Sequence, residues 1–159
     1  MFLTRHFVFV HVPKTGGNFV RKILAQHAPP DWQLQELEDH ATYERIPATH
    51  TELPRLALAR NPFDWHVSWF HFQQSNFQQG IPSEFFTRIS DGGRLDFQAT
   101  MRRAYTGDGP LARSAGALTQ TLFDMLGQGL EGATVGKVEQ IREDLLGMFS
   151  ACADVPPAM

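Results

Sequence analysis

The sequence predicts an α/β protein whose mainly parallel sheet is flanked by helices. Three observations carry that expectation. An apolar run, Phe7-Val8-Phe9-Val10-His11-Val12, leads into a glycine turn and then a segment of helical period. A second run, Leu56-Ala57-Leu58-Ala59, leads into a helix start, and a third, Ala133-Thr134-Val135-Gly136-Lys137-Val138, leads into another. Strands that alternate with helices pair mainly in parallel, and ligands bind in such sheets where the strands end.

The first run is β-branched and aromatic throughout, as suits a strand covered on both faces. Pro13-Lys14-Thr15-Gly16-Gly17 follows as a tight turn. Phe19, Val20, Ile23, Leu24 and His27 then share one side of a helix that Pro29-Pro30 ends. After the second strand, Asn61 suits an N-cap, Pro62 the first helical position and Asp64 the positive helix end, with Phe63, Val67 and Phe70 as the apolar face. Residues 75 to 130 read as helical. Ser83 and Asp96 are caps, Asp91-Gly92-Gly93 and Gly107-Asp108-Gly109-Pro110 are breaks, and Leu118, Leu122 and Met125 form a stripe. The third strand precedes a helix through Ile141, Leu145 and Met148. Residues 1–159 form a single domain in this reading, with 151–159 as a flexible tail.

Composition describes a globular protein: 42% of its 159 residues are hydrophobic and 19% charged. A formal charge of −3 gives no reason to expect a nucleic-acid partner, so any anion site must rest on local Lys and Arg. Cys152 is the only cysteine, which excludes an intrachain disulfide and fits a cytoplasmic location. No apolar stretch near the start is long enough to span a membrane. Seven histidines raise the question of a metal. His66 and His71, five apart, do not share a helix face, and no zinc-binding spacing occurs, so no metal is expected.

A strand, a glycine turn and a helix start make an anion site. The first helical turn leaves backbone N–H groups unpaired, and the helix dipole adds about half a positive charge there. Gly16 and Gly17 let a phosphate approach the backbone, Lys14 adds a full charge, and Thr15 and Asn18 add side-chain donors. Lys14 precedes the glycines, so the turn is not a Walker A loop. Arg60 stands at the end of the second strand, where a guanidinium can grip a phosphate bidentately. Ser68, eight positions on, lies about two turns into the helix and can face a ligand.

These two segments together resemble the sulfotransferases that use 3′-phosphoadenosine 5′-phosphosulfate (PAPS). His11-Val12-Pro13-Lys14-Thr15-Gly16-Gly17-Asn18-Phe19 is similar to that family's 5′-phosphosulfate loop. Ala59-Arg60-Asn61-Pro62-Phe63-Asp64-Trp65-His66-Val67-Ser68 is similar to its 3′-phosphate motif, and the two come in the family's order. Val135-Gly136-Lys137-Val138-Glu139, with Asp144 after it, is a looser match to a late strand of the family. The resemblance implies a P-loop NTPase-like sulfotransferase fold, a PAPS cofactor and adenosine 3′,5′-bisphosphate as product. By it, Lys14, Thr15, Gly16, Gly17 and Asn18 hold the 5′-phosphosulfate, and Arg60 and Ser68 hold the 3′-phosphate. Phe19 takes the place of a tryptophan near the adenine, although its position on the helix's apolar face suits a core role equally well. Asn18 departs from the family's threonine or serine. Family members also continue with further helices and a segment that closes on the nucleotide. Against that pattern the sequence is shortened at its C-terminal end, and the resemblance implies impaired closure.

Sulfuryl transfer, like phosphoryl transfer, needs an in-line nucleophile and a stabilised leaving oxygen. Lys14 is the group to neutralise that oxygen, Ser68 restrains Lys14 by the resemblance, and His50 is the candidate base, following Thr49 as in a Thr-His pair of the cytosolic enzymes. His11 in the first strand packs or orients Lys14. Glu36, Glu38 and Asp39 form an acidic cluster that reads as a solvated face. The aromatic stretch Trp65, Trp69, Phe70, Phe72 and Phe77 reads as core before it reads as a pocket. The acceptor is a small molecule or carbohydrate bearing a hydroxyl or amine. Two other readings stay open: a non-catalytic module that binds PAPS or the bisphosphate, and a P-loop small-molecule kinase using ATP.

Overall fold

A computed structural model describes residues 1–81, 83–106, 125 and 132–157. Five strands, β1 (Phe2–Leu3), β2 (Val8–Val10), β3 (Gln35–Glu36), β4 (Arg55–Ala59) and β5 (Ala133–Lys137), form one sheet in the order β3-β1-β2-β4-β5. The described helices are α1 (Gly17–His27), α2 (Pro62–Gln78), α3 (Glu84–Ile89), α4 (Phe97–Thr106) and α5 (Ile141–Cys152). Short 3₁₀ turns lie at Pro30–Trp32, Tyr43–Arg45, Ala48–His50 and Val138–Gln140. The protein is α/β, as expected. Two compact units divide it: Met1–Asn61 with Leu122–Met159, and Pro62–Thr121.

In the first unit, β2 pairs with β4 and β4 with β5 in parallel, Val8 opposite Arg55 and Ala59 opposite Lys137. The other half of the sheet adds antiparallel pairs to the parallel pairing expected. β1 runs antiparallel to both β2 and β3, so the sheet is mixed. Strands of two residues carry no readable period, which is why Phe2–Leu3 and Gln35–Glu36 leave no mark in the sequence pattern.

β2 is buried on both faces. Phe7 and Phe9 join one cluster with Trp32, Leu56, Leu58, Leu145 and Phe149, while Val8 and Val10 join another with Met1, Leu3, Ala57 and the helical Met125. Phe7 stacks on Phe149 at 5.0 Å and meets the edge of Trp32 at 5.4 Å. Burying such side chains contributes roughly 1.5–3 kcal/mol each, which fixes the strand that leads to the glycine turn. α1 buries Val20 and Leu24 against this core, and α5 buries Leu145, Met148 and Phe149. Beyond α5, Ala153 and Val155 also pack on the core. The third strand stops at Lys137, where Val138 begins a 3₁₀ turn.

In the second unit the expected caps are present: the Ser83 hydroxyl accepts from the Phe86 N–H at 3.1 Å and the Asp96 carboxylate from the Ala99 N–H at 2.8 Å. Asp91, Gly92 and Gly93 all take positive φ in the break between α3 and α4. The proposed face of α2 is corrected. Phe70 is buried, but Val67 is exposed and Phe63 is 81% exposed. Of the aromatic stretch Phe70 is core, while Trp65, Trp69 and Phe77 are half-buried; Trp69, Phe70 and Phe77 lie 5.7–6.5 Å from the ring of the buried Phe86. Phe72 is exposed. Gly107–Pro110, Leu118 and Leu122 lie outside the described residues. Among the described residues no helix is long and apolar enough to cross a membrane.

Candidate anion site at two parallel strand ends

The backbone leaves β2 through a turn tied to its own carbonyls. Val12 donates its N–H to the Val10 carbonyl, and the Val12 carbonyl accepts from both the N–H and the hydroxyl of Thr15, at 3.4 and 2.8 Å. Thr15 is buried. Its hydroxyl, expected to reach a ligand, here holds the turn. On either side of it, Lys14 (φ 63°) and Gly16 (φ 83°) take the left-handed conformation. For lysine that costs roughly 1–2 kcal/mol, a strain of the kind that collects at functional sites.

The two glycines serve different needs. Gly16 caps α1 with a backbone that favours glycine. At Gly17 the obstacle is the imidazole of His11, since a Cβ there would stand 1.7 Å from the ring. His11, expected to pack or to orient Lys14, is a buried wall beneath the start of α1. The N–H groups of Gly16, Gly17 and Asn18 lie where a helix offers them no intrahelical acceptor, whereas Phe19 already donates to the Gly16 carbonyl at 2.8 Å. The Asn18 amide oxygen accepts from Arg21 Nη1 at 3.1 Å. Phe19 is 45% exposed, so the core role is not the one it takes.

Lys14 and Arg60 follow the ends of β2 and β4, which are neighbours in the sheet. Arg60 Nη1 donates to the Lys14 carbonyl at 3.5 Å, so the two cationic residues share one edge. Burial, and secondarily the Arg60 charge, lowers the Lys14 pKa below its ordinary 10.5. Beside them a cleft between the ends of β4 and β5 is lined by Ala59, Arg60, Asn61, Lys137, Glu139 and Gln140. There the Glu139 carboxylate accepts from the Asn61 N–H at 2.7 Å, and that bond first, with Arg60 and Lys137 adding to it, holds its pKa below the usual value. Asn61 was expected to cap α2 through its side chain; its backbone bond to Glu139, 78 positions away, has no local sequence signal.

The remaining expected residues fall elsewhere. His50 ends the 3₁₀ turn before β4, its ring bonded to the Thr49 hydroxyl at 2.8 Å. Leu53 donates back to the His50 carbonyl, and Val8 donates to the Pro54 carbonyl where β2 begins. His50 therefore goes with the edge where the parallel strands start, while Lys14 and Arg60 stand where they end. Ser68 is half-buried on α2, in the second unit. The acidic cluster is not merely solvated. Arg21 pairs with Glu36 at 2.7 Å and with Asp39, and Asp39 approaches the buried Nδ1 of His11 at 3.6 Å. Burial, then the nearby His40, pushes His11 from its ordinary 6.5 to about 4. Among the described residues no group of three or more His, Cys, Asp or Glu side chains is placed to hold a metal ion.

No protein-family model matches this sequence, and neither a curated protein nor a solved structure is similar enough to it to count as a match.

Proposed function

We propose that the protein is a PAPS-dependent sulfotransferase of P-loop-like fold. The observation that carries the reading is the junction of Lys14 with Arg60 at adjacent parallel strand ends, joined through the Lys14 carbonyl. A nucleotide with a phosphate at each extremity needs two such anchors side by side. The N–H groups of Gly16, Gly17 and Asn18 suit the 5′-phosphate by the ordinary logic of a helix start, and the Arg60 guanidinium suits the 3′-phosphate. Phe19, exposed on α1, offers a ring to the adenine. PAPS supplies the sulfuryl group, which passes to an acceptor oxygen or nitrogen with release of adenosine 3′,5′-bisphosphate and a proton. Lys14, partly desolvated and beside a second cation, is the group to neutralise charge on the leaving oxygen.

The second reading is a module that binds PAPS or the bisphosphate without catalysis. The placement of His50 before β4 favours it, since the one base assigned by resemblance goes with the other sheet edge. Thermal shift with PAPS, adenosine 3′,5′-bisphosphate and ATP–Mg tests the site. A ligand at a hundred times its Kd stabilises by about 2.7 kcal/mol, and the bisphosphate is expected to give that response while ATP–Mg does not. Lys14→Ala and Arg60→Ala each abolish it; an unaltered shift in both variants would remove the assignment. Transfer of label from PAPS to an acceptor panel then separates enzyme from module.

A further inference from the structure

The backbone of β4 meets β5 through alternate N–H groups. Arg55 donates to the Gly132 carbonyl at 3.0 Å, and the two-residue period of a strand turns the N–H groups of residues 57, 59 and 61 the same way. The ladder runs as far as Ala59 opposite Lys137. Asn61 is the next donor in that series, but β5 has ended and the backbone has entered the 3₁₀ turn Val138–Gln140. The Glu139 side chain takes the place of the missing carbonyl, accepting the Asn61 N–H at 2.7 Å. Pro62 follows and has no N–H of its own. The stretch leaving β4 is therefore held to β5 by a carboxylate from another element, and the residue immediately before the held N–H is Arg60.

We infer that Glu139 is a positioning residue for Arg60: by extending the β4–β5 ladder through its side chain, it fixes the backbone from which the guanidinium reaches the Lys14 carbonyl. Resting on the nucleotide reading above, this assigns Glu139 to the selectivity for the 3′-phosphate rather than to contact with the ligand. Arg60 has a long side chain, and a guanidinium grips a phosphate bidentately only when its backbone is fixed. A carboxylate in the same cleft as Arg60 and Lys137 also opposes an incoming phosphate, so the charge itself works against binding while the hydrogen bond works for it. Those two effects predict opposite results on mutation, which makes the role decidable.

The test measures Kd for adenosine 3′,5′-bisphosphate and adenosine 5′-phosphate on wild type, Glu139→Ala and Glu139→Gln, and records the Asn61 amide and Arg60 Nε–Hε resonances without ligand. For Glu139→Ala the expected result is a loss of about tenfold in affinity for the bisphosphate, the worth of one charge-assisted hydrogen bond, with little change for the monophosphate. Glu139→Gln, whose amide oxygen accepts the same bond, restores the preference. Both resonances move in Glu139→Ala, and the Arg60 signal returns toward wild type in Glu139→Gln. Tighter binding in both variants would make Glu139 a competing anion and overturn the inference. Equal losses for both nucleotides, or an unmoved Arg60 resonance, would overturn it too. A wild type that fails to prefer the bisphosphate would defeat the nucleotide reading, and the resonances would still decide whether Glu139 holds Arg60.

Discussion

A methyl group on Gly17 would stand 1.7 Å from the His11 ring, and that ring is buried between β2 and the start of α1. The substitution must displace either the imidazole or the helix. Gly17→Ala is therefore expected to cost about 1–3 kcal/mol, the usual range for overpacking, read as a lower urea midpoint. His11 makes a second prediction. Its folded pKa of about 4 lies below the ordinary 6.5, so the native state favours the neutral ring. Between those values the unfolded state binds more protons, and stability rises with pH across the window and falls as it is acidified. Asp39 shifts stability in the same direction over a lower window: desolvation alone would raise its pKa, but Arg21 holds it below the ordinary 3.8, so its contribution is lost only as pH falls below that value. Urea midpoints measured at about pH 4.5 and about pH 7 should differ more in wild type than in His11→Asn. An equal difference in both would place the titration elsewhere.

α5 packs Leu145, Met148 and Phe149 on the sheet and leaves Gly147 exposed, where an added methyl group would find nothing within 4 Å. Alanine there meets no obstacle and removes the backbone entropy of glycine in a helix. Gly147→Ala is expected to stabilise the protein by about 0.5–1 kcal/mol, measured as a higher Tm; a lower one would mean that α5 is held differently. The apolar faces of α5 and α1 were legible because helical period and burial coincide at Leu145, Met148, Val20 and Leu24. On α2 the same period picked out Phe63 and Val67, yet only tertiary contacts decide which stripe is covered, and theirs is exposed. β2, its glycine turn and β4 were legible from apolar runs ending in turn chemistry. β1 and β3 were not, since two residues cannot show alternation. Nor could the sequence assign His50 to a sheet edge, because that depends on where β4 joins the ladder.

Because β2, β4 and β5 are parallel, their ends fall on one edge, where Lys14, Arg60 and Lys137 stand with the carboxylate of Glu139 in the cleft beside them. A protein with a formal charge of −3 thus gathers three cations where its strands finish. An anion drawn to that edge meets a local field opposite in sign to the net charge. Half-buried charges such as Lys14 and Arg60 still face solvent and are partly screened by salt, the Debye length falling from about 10 Å at 0.1 M to about 3 Å at 1 M. Adenosine at the Phe19 ring would feel no such screening, because stacking and apolar burial do not weaken with sodium chloride. Raising sodium chloride across that range is therefore expected to weaken bisphosphate binding by roughly tenfold, and to leave adenosine itself, measured by the same titration, nearly unaffected. A bisphosphate Kd that ignores salt would mean that the shared strand edge is not what holds the phosphates.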